Sequence, residues 1–273
     1  QIGDWNAFTS PLKINSIASI GDSIICATSG GLLIKNKEQV NTISKIDGLY
    51  GVDIVAIGKD DYHNIWLGGN SPNGFIQIYN FNDGSIDVFD YGLTSIREFW
   101  ISDSLAFVSF IDGQDAGLIK FIYENGKCSY RDIYRNFPFS IESISGFDIL
   151  SNDIATKIFL GTNVGLLVAD ISSNLKDPNN WNREFCCFND GPIKAMCNYK
   201  DGFAFIYEGE SSGVHFINPD LGEFVSEELN IQLPLAFDKM IFDNENFLIG
   251  TKSKKIFSQK LGFEPININK NLN

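Results

Sequence analysis

Short apolar runs alternate with polar, glycine-bearing turns along the whole chain, and no segment has a convincing helical period. The pattern predicts strands throughout. Six segments correspond when aligned where one apolar run ends and a glycine opens the next. They are GDSIICATSGGLLI from Gly21, DYHNIWLGGNSPNGFIQI from Asp61 and SDSLAFVSFIDGQDAGLIKF from Ser102. ATKIFLGTNVGLLVAD from Ala155, KDGFAFIYEGESSGVHFI from Lys200 and NENFLIGTKSKKIFS from Asn244 complete the set. Each predicts two strands joined by a hairpin. A leading apolar strand precedes each pair: Ile17–Ile20, Ile54–Ile57, Ile96–Phe99, Ile141–Ile144, Ile193–Cys197 and Met240–Phe242. A more polar outer strand follows in places, as in SIDVFD from Ser85 and WNREF from Trp181.

The glycines that open the later strand, Gly31, Gly74, Gly117, Gly165 and Gly213, are 43, 43, 48 and 48 residues apart. A pitch of about 40–50 residues filled only by strands is the signature of propeller blades. The expected fold is therefore all-β: a single β-propeller over residues 1–273, six blades, each a four-stranded antiparallel sheet. Seven blades follow instead if more chain follows residue 273 or if the stretch from Asn125 to Asp153 holds another strand pair. Trp5-Asn6-Ala7-Phe8 is similar to Trp181–Phe185, so the amino-terminal strand is expected to close the last blade, whose inner strands run from Met240 to Lys260. Such closure removes a loose sheet edge.

The stretch KDDYHNIWLGG, Lys59 to Gly69, gathers two aspartates, a tyrosine and one of two histidines, and so invites a catalytic or metal-binding reading. Its equivalents in other repeats are GDS at Gly21, SDS at Ser102, KDG at Lys200 and DNEN at Asp243. Asp, Asn, Gly and Ser recur because a tight turn needs local side-chain hydrogen bonds and permissive backbone angles. Trp66 falls where other repeats carry Cys26, Phe107, Phe159, Phe205 and Leu248. The cluster reads as a repeated hairpin, with His63 neither ligand nor base.

Asp47-Gly48-Leu49 followed by Asn64-Ile65-Trp66-Leu67-Gly68-Gly69 resembles the two-component regulator propeller repeat. Partial copies stand at Phe159–Thr162 with Gly165-Leu166, and at Phe247–Thr251. The chain also resembles the amino-terminal propeller of PorZ-like surface proteins of type IX secretion, which the W-x-x-F opening at Trp5 suits better than a sensor kinase. The resemblance implies an exported propeller, cut from or belonging to a longer chain. For the sensor relatives it implies a carbohydrate-derived ligand.

A net charge of −13 at pH 7 argues against nucleic acid and against insertion at an anionic membrane surface. No apolar run approaches the ~18 residues of a spanning helix. Five cysteines, Cys26, Cys128, Cys186, Cys187 and Cys197, show no metal-ligand spacing and are expected to be reduced and structural. The chain opens at Gln1 rather than Met, which leads us to expect a mature, exported protein, periplasmic or at the surface of a Gram-negative-type bacterium.

The one motif with enzymatic associations, Gly209-Glu210-Ser211-Ser212-Gly213, joins two strands instead of a strand and a helix, so it reads as a loop. We expect no catalytic residue, no metal and no cofactor. Asp112 and Asp115 in one hairpin and Glu208 and Glu210 in another would suit Ca²⁺ if they converged; a solvated acidic rim carries the same residues. Tyr50 and Tyr91, near the blade-joining turns, are candidate contacts for a protein, peptide or glycan partner on one loop face. The expected function is non-catalytic recognition or scaffolding connected with surface assembly or type IX secretion. The alternatives are a periplasmic sensing domain of a two-component receptor and, third, a carbohydrate-active enzyme.

Overall fold

The computed structural model describes residues 13–36, 39–80, 83–124, 127–183, 188–210, 212–218, 225–233, 237–242, 244–251, 256–260 and 266–267. The chain divides into two compact units, Gln1–Arg135 and Asn136–Asn273.

The first unit holds three four-stranded sheets, each made of consecutive antiparallel strands. Blade 1 comprises β1 (Ile14–Ile20), β2 (Ser23–Thr28), β3 (Gly31–Asn36) and β4 (Gln39–Ile43). Blade 2 comprises β5 (Asp53–Lys59), β6 (Asn64–Ser71), β7 (Gly74–Asn80) and β8 (Ile86–Leu93). Blade 3 comprises β9 (Ser95–Ile101), β10 (Leu105–Asp112), β11 (Asp115–Glu124) and β12 (Lys127–Tyr134).

In the second unit, blade 4 has three strands, β13 (Ile144–Ser151), β14 (Thr156–Thr162) and β15 (Gly165–Asp170). Blade 5 is β16 (Ile193–Tyr199), β17 (Gly202–Tyr207), β18 (Gly213–Asn218) and β19 (Val225–Leu229). Blade 6 is β20 (Phe237–Phe242), β21 (Asn246–Thr251), β22 (Ile256–Lys260) and β23 (Ile266–Asn267). The fold is a six-bladed β-propeller. No helix among the described residues is long and apolar enough to cross a membrane.

Two expectations need revision, the start of one leading strand and the strand count of one blade. Among its described residues the stretch from Asn125 to Asp153 holds only the outer strand β12 and the leading strand β13, in keeping with six blades. That leading strand starts at Ile144 and not at Ile141; both isoleucines are buried, so burial alone does not mark where the ladder begins. Blade 4 also has no named fourth strand among the described residues. Asn182 makes an isolated antiparallel bridge to Val168, and Leu166 donates its N–H to the Phe188 carbonyl at 2.9 Å. The proposed closing strand at Trp5–Phe8 lies outside the described residues, as do Cys186 and Cys187; the fourth strand seen on blade 6 is β23.

The glycine pitch has a steric cause. A Cβ on Gly31 would overlap the Ile43 carbonyl oxygen, and one on Gly165 the Phe188 carbonyl oxygen. One on Gly117 would lie 2.6 Å from the Tyr134 carbonyl oxygen, and one on Gly74 2.8 Å from the Ser95 nitrogen. In these four blades the chain leaving the blade passes over the opening of the third strand, and only hydrogen fits beneath it. Gly31 and Gly165 also sit at φ of 117° and 127°, which side-chain-bearing residues rarely adopt.

Two threonines repeat this geometry. Thr28 Oγ1 donates to the Gly31 carbonyl at 2.8 Å, and Thr162 Oγ1 donates to the Gly165 carbonyl at 2.7 Å. Both hydroxyls also accept a backbone N–H inside the turn, from Gly30 and Val164.

The turns between first and second strands explain the polar clusters. Gly21, His63, Lys200 and Asn244 all hold positive φ, at 54°, 63°, 51° and 77°. His63 is therefore a turn residue in a conformation that favours glycine. Replacing it by glycine should stabilise the protein by about 1 kcal/mol. Chemical denaturation of His63→Gly beside the parent checks the sign.

Cores form between neighbouring sheets within each unit. Blades 1 and 2 share Ile25, Leu32, Leu49, Ile54 and Leu67, and blades 2 and 3 share Trp66, Ile76, Ile96, Phe110 and Phe121. Gly68 and Gly161, from the L-G motif of the repeat, let the next blade approach: added Cβ atoms would strike Ile96 and Ile193. Phe159, Phe203 and Phe205 lie between blades 4 and 5, and Ile206, Phe216 and Phe247 between blades 5 and 6.

Candidate functional site

The second strand of each blade runs back along the first. The start of the leading strand, the hairpin between strands two and three, and the chain arriving from the previous blade thus meet at one end. We call this the loop end.

Each leading strand carries a β-bulge there. Register skips fall at Asn15, Val55, Arg97, Ser145, Lys194 and Asp238, one in every blade. A bulge bends its strand and re-aims the extra side chain. Asn15 Nδ2 donates to the Ile54 carbonyl of the next blade at 2.7 Å, and Ser145 Oγ to the Gly161 carbonyl at 3.1 Å. Lys194 Nζ lies 3.1 Å from Glu208 Oε2.

The candidate residues on the loop end have separate surroundings. Asp112 and Asp115 are cross-strand partners closing the β10–β11 hairpin. Arg135 pairs with Asp112 while its guanidinium lies 5.0 Å from the centre of the Phe110 ring. Glu208 takes Lys194, and the Glu210 N–H donates to Asp190 Oδ2 at 2.9 Å. Two of the four carboxylates, Asp112 and Glu208, are thus engaged by cations of their own unit. Among the described residues no three His, Cys, Asp or Glu side chains group to hold a metal ion.

Tyr50 is held differently. Its hydroxyl donates to Asp90 Oδ2 at 2.8 Å, and its backbone N–H donates to Gln77 Oε1 at 2.8 Å. The Gln77 amide donates onward to the Gly51 carbonyl at 3.1 Å, and that side chain is fully buried. The hydrogen bond to Asp90, with partial desolvation and the carboxylate charge, pushes the Tyr50 phenol above its ordinary pKa. The ring meets Phe75 edge-on and stays 38% exposed. Tyr91 does not join it, packing instead on Tyr130 across the outer strands of blades 2 and 3, 5.2 Å between centroids. Burial, with Tyr130 and Cys128 nearby, pushes the Tyr91 phenol up to about 12.

Gln77 is a positioning residue that sequence reasoning missed. A glutamine inside an apolar strand, GFIQI, is a usable signal, since a fully buried amide must find partners. Its partners, 26 and 27 residues earlier, lie on the chain that links blade 1 to blade 2.

The Lys59–Gly69 cluster lies at the opposite end, in the turn between β5 and β6. Asp60 Oδ1 accepts the N–H groups of Tyr62 and Asn64. Asp60 Oδ2 accepts from Asn64 Nδ2 at 2.9 Å, Trp66 Nε1 at 3.1 Å and the Tyr123 hydroxyl at 2.6 Å. Partial burial pushes this carboxyl up, but the bonds from Tyr123, Asn64 and Trp66 outweigh it and hold the pKa below its ordinary value. Burial first, then the bond to Asp60 and its charge, drives the Tyr123 phenol far above its usual range. The turn is both a hairpin and a tie between blades 2 and 3. His63 takes no part in these bonds. Cys26, Cys128 and Cys197 are free thiols, and burial pushes Cys128 and Cys197 up to about 12.

No protein-family model matches the sequence, and no curated protein does. Solved structures share the fold. PorZ, an essential bacterial surface component of the type-IX secretion system of Porphyromonas gingivalis, matches with a TM-score of 0.63 at 14% identity, over 94% of this chain and 40% of that one. The extracellular domain of the putative one component system BT4673 from B. thetaiotaomicron gives a TM-score of 0.64 at 14% identity, over 95% and 34%. The AfRom2 CNH domain gives 0.56 at 11% identity, over 96% and 87%. The chain thus spans two fifths or less of the first two proteins, and the likeness is one of fold.

Proposed function

We propose that this chain is a non-catalytic recognition or scaffolding module that meets a protein, peptide or glycan partner with the loop end of its blades. Its setting is exported, periplasmic or at the bacterial surface, and connected with surface assembly of the type IX kind. Tyr50 carries this reading. A half-exposed aromatic ring is anchored by a buried amide at its backbone and by a carboxylate at its hydroxyl. An anchor ordered before binding loses little freedom on contact, which is where recognition side chains gain their effect. Asp115 and Tyr91 of the same unit supply further contacts, while Asp112 stays with Arg135. The fold shared with a type IX surface component supports the setting.

The test places a photoreactive benzophenone side chain at position 50 or, as control, at position 62 on the opposite end. Illumination in the source organism should give a discrete adduct from position 50 alone. Tyr50→Ser should then weaken binding of the identified partner at least tenfold. Equal labelling from both positions, or unaltered affinity in the variant, overturns the reading.

A second reading, a ligand-sensing domain of a receptor, is supported by the fold shared with the extracellular domain of a putative one component system. The native polypeptide separates the two. Continuation into a membrane span and signalling domain favours sensing, and continuation into a further secreted domain favours surface assembly.

A further inference from the structure

A cleft of about 290 Å³ opens beside the Asp60 turn, between the outer parts of blades 2 and 3. Its size sits at the lower edge of ligand pockets, which run from about 300 to 1,000 Å³, so it suits one small molecule. One wall carries Asn64, Asn80 and Asp87 from blade 2; the other carries Tyr123 and Lys127 from blade 3, with Tyr62 at the rim.

Most of these polar groups already serve the structure. Asn80 Nδ2 donates to Asn64 Oδ1 at 2.8 Å, and Asn64 and Tyr123 both donate to Asp60. The Tyr62 hydroxyl donates to the Asp103 carbonyl at 3.0 Å, and its ring leans on Tyr123, 5.0 Å between centroids. The network fixes the walls.

Two groups stand apart from it. Asp87 and Lys127, of opposite charge, face the same cleft from different blades and make no ion pair or hydrogen bond among the described residues. A carboxylate and an ammonium on opposite walls of a small polar cleft match a ligand bearing both an ammonium and a carboxylate.

We propose that this cleft binds a small zwitterion of the α-amino acid class, its ammonium on Asp87 and its carboxylate on Lys127. Both side chains are exposed at the cleft, so only a ligand carrying both charges gains from both of them. The rigid walls limit the side chain to a short one, resting on the Tyr62 ring, which is 41% exposed. The site lies away from the loop end, so it does not depend on the partner reading above.

The test is a calorimetric and NMR titration of the whole chain with L-alanine, L-threonine and L-glutamine. N-acetyl-L-alanine, L-alaninamide and D-glucose serve as controls, each lacking one or both charges. We expect saturable binding of at least one amino acid, with shifts at Asn64, Tyr123 and Lys127. The N-acetyl and amide forms should bind at least tenfold more weakly. Asp87→Asn and Lys127→Gln should each lower affinity at least tenfold while leaving the melting temperature unchanged, since neither side chain has a hydrogen-bond or ion-pair partner among the described residues. Failure of all three amino acids to bind, preferential binding of glucose, or binding indifferent to both substitutions would overturn the proposal.

Discussion

Gly165→Ala is expected to destabilise the protein by about 3–5 kcal/mol, whereas Gly213→Ala, at the same place in the next repeat, should cost under about 0.5 kcal/mol. At Gly165 two costs add. The backbone sits at φ 127°, and the new methyl would enter the space of the Phe188 carbonyl oxygen. That oxygen is itself held by the Leu166 N–H, so it cannot retreat without breaking a pairing bond. At Gly213 the nearest atom to an added Cβ is a Glu228 carboxylate oxygen at 3.4 Å, on a side chain free to swing. Urea unfolding of both variants beside the parent gives the comparison. Equal losses at the two glycines would refute the steric origin of the repeat's most regular feature.

Asp60→Ala should cost about 2–4 kcal/mol, because it removes a shared acceptor and leaves partly buried donors of Trp66, Asn64 and Tyr123 without it. Asp60→Asn should recover little, since its amide would turn a donor toward three donors. The pH dependence follows from the direction of the shift. The folded-state pKa of Asp60 lies below the unfolded one. Its contribution is therefore full above the unfolded value of about 4, and is lost as pH falls through the folded value. The stability gap between parent and Asp60→Ala should be constant from neutral pH down to about 5 and should close below about 4. A gap that persists at pH 2 would mean that shape, not charge, fills the role.

Some of this molecule was legible in its residues and some was not. The blade count was, because the glycine pitch answers a local contact that recurs in four of the six blades. The turns were too, because positive φ at His63, Lys200 and Asn244 leaves the same polar composition around each of them. The Asp60 stretch was half legible. Its hairpin shows in the Asp and Asn spacing, but its bond to Tyr123 joins residues 63 apart and depends on how two sheets pack. The bulges were not legible, since a skipped pairing leaves the apolar pattern intact. Lys194 reaches Glu208 because of such a skip. Ile141 misled the reading of blade 4: it is buried like a strand residue but lies before the ladder. That Asp87 and Lys127 line one cleft was equally invisible, because each is an ordinary charge in an outer strand.

Every sheet is built from strands that are consecutive in the chain. Each hairpin can therefore close over a short span, with a small entropic penalty for joining its ends. During synthesis the pairing partners of one blade emerge together, before the next blade exists. An unpaired edge is exposed to neighbouring chains only briefly, which limits the aggregation that long-range β pairing otherwise invites. An arrest of translation should then leave finished sheets behind it instead of a tangle of half-paired strands.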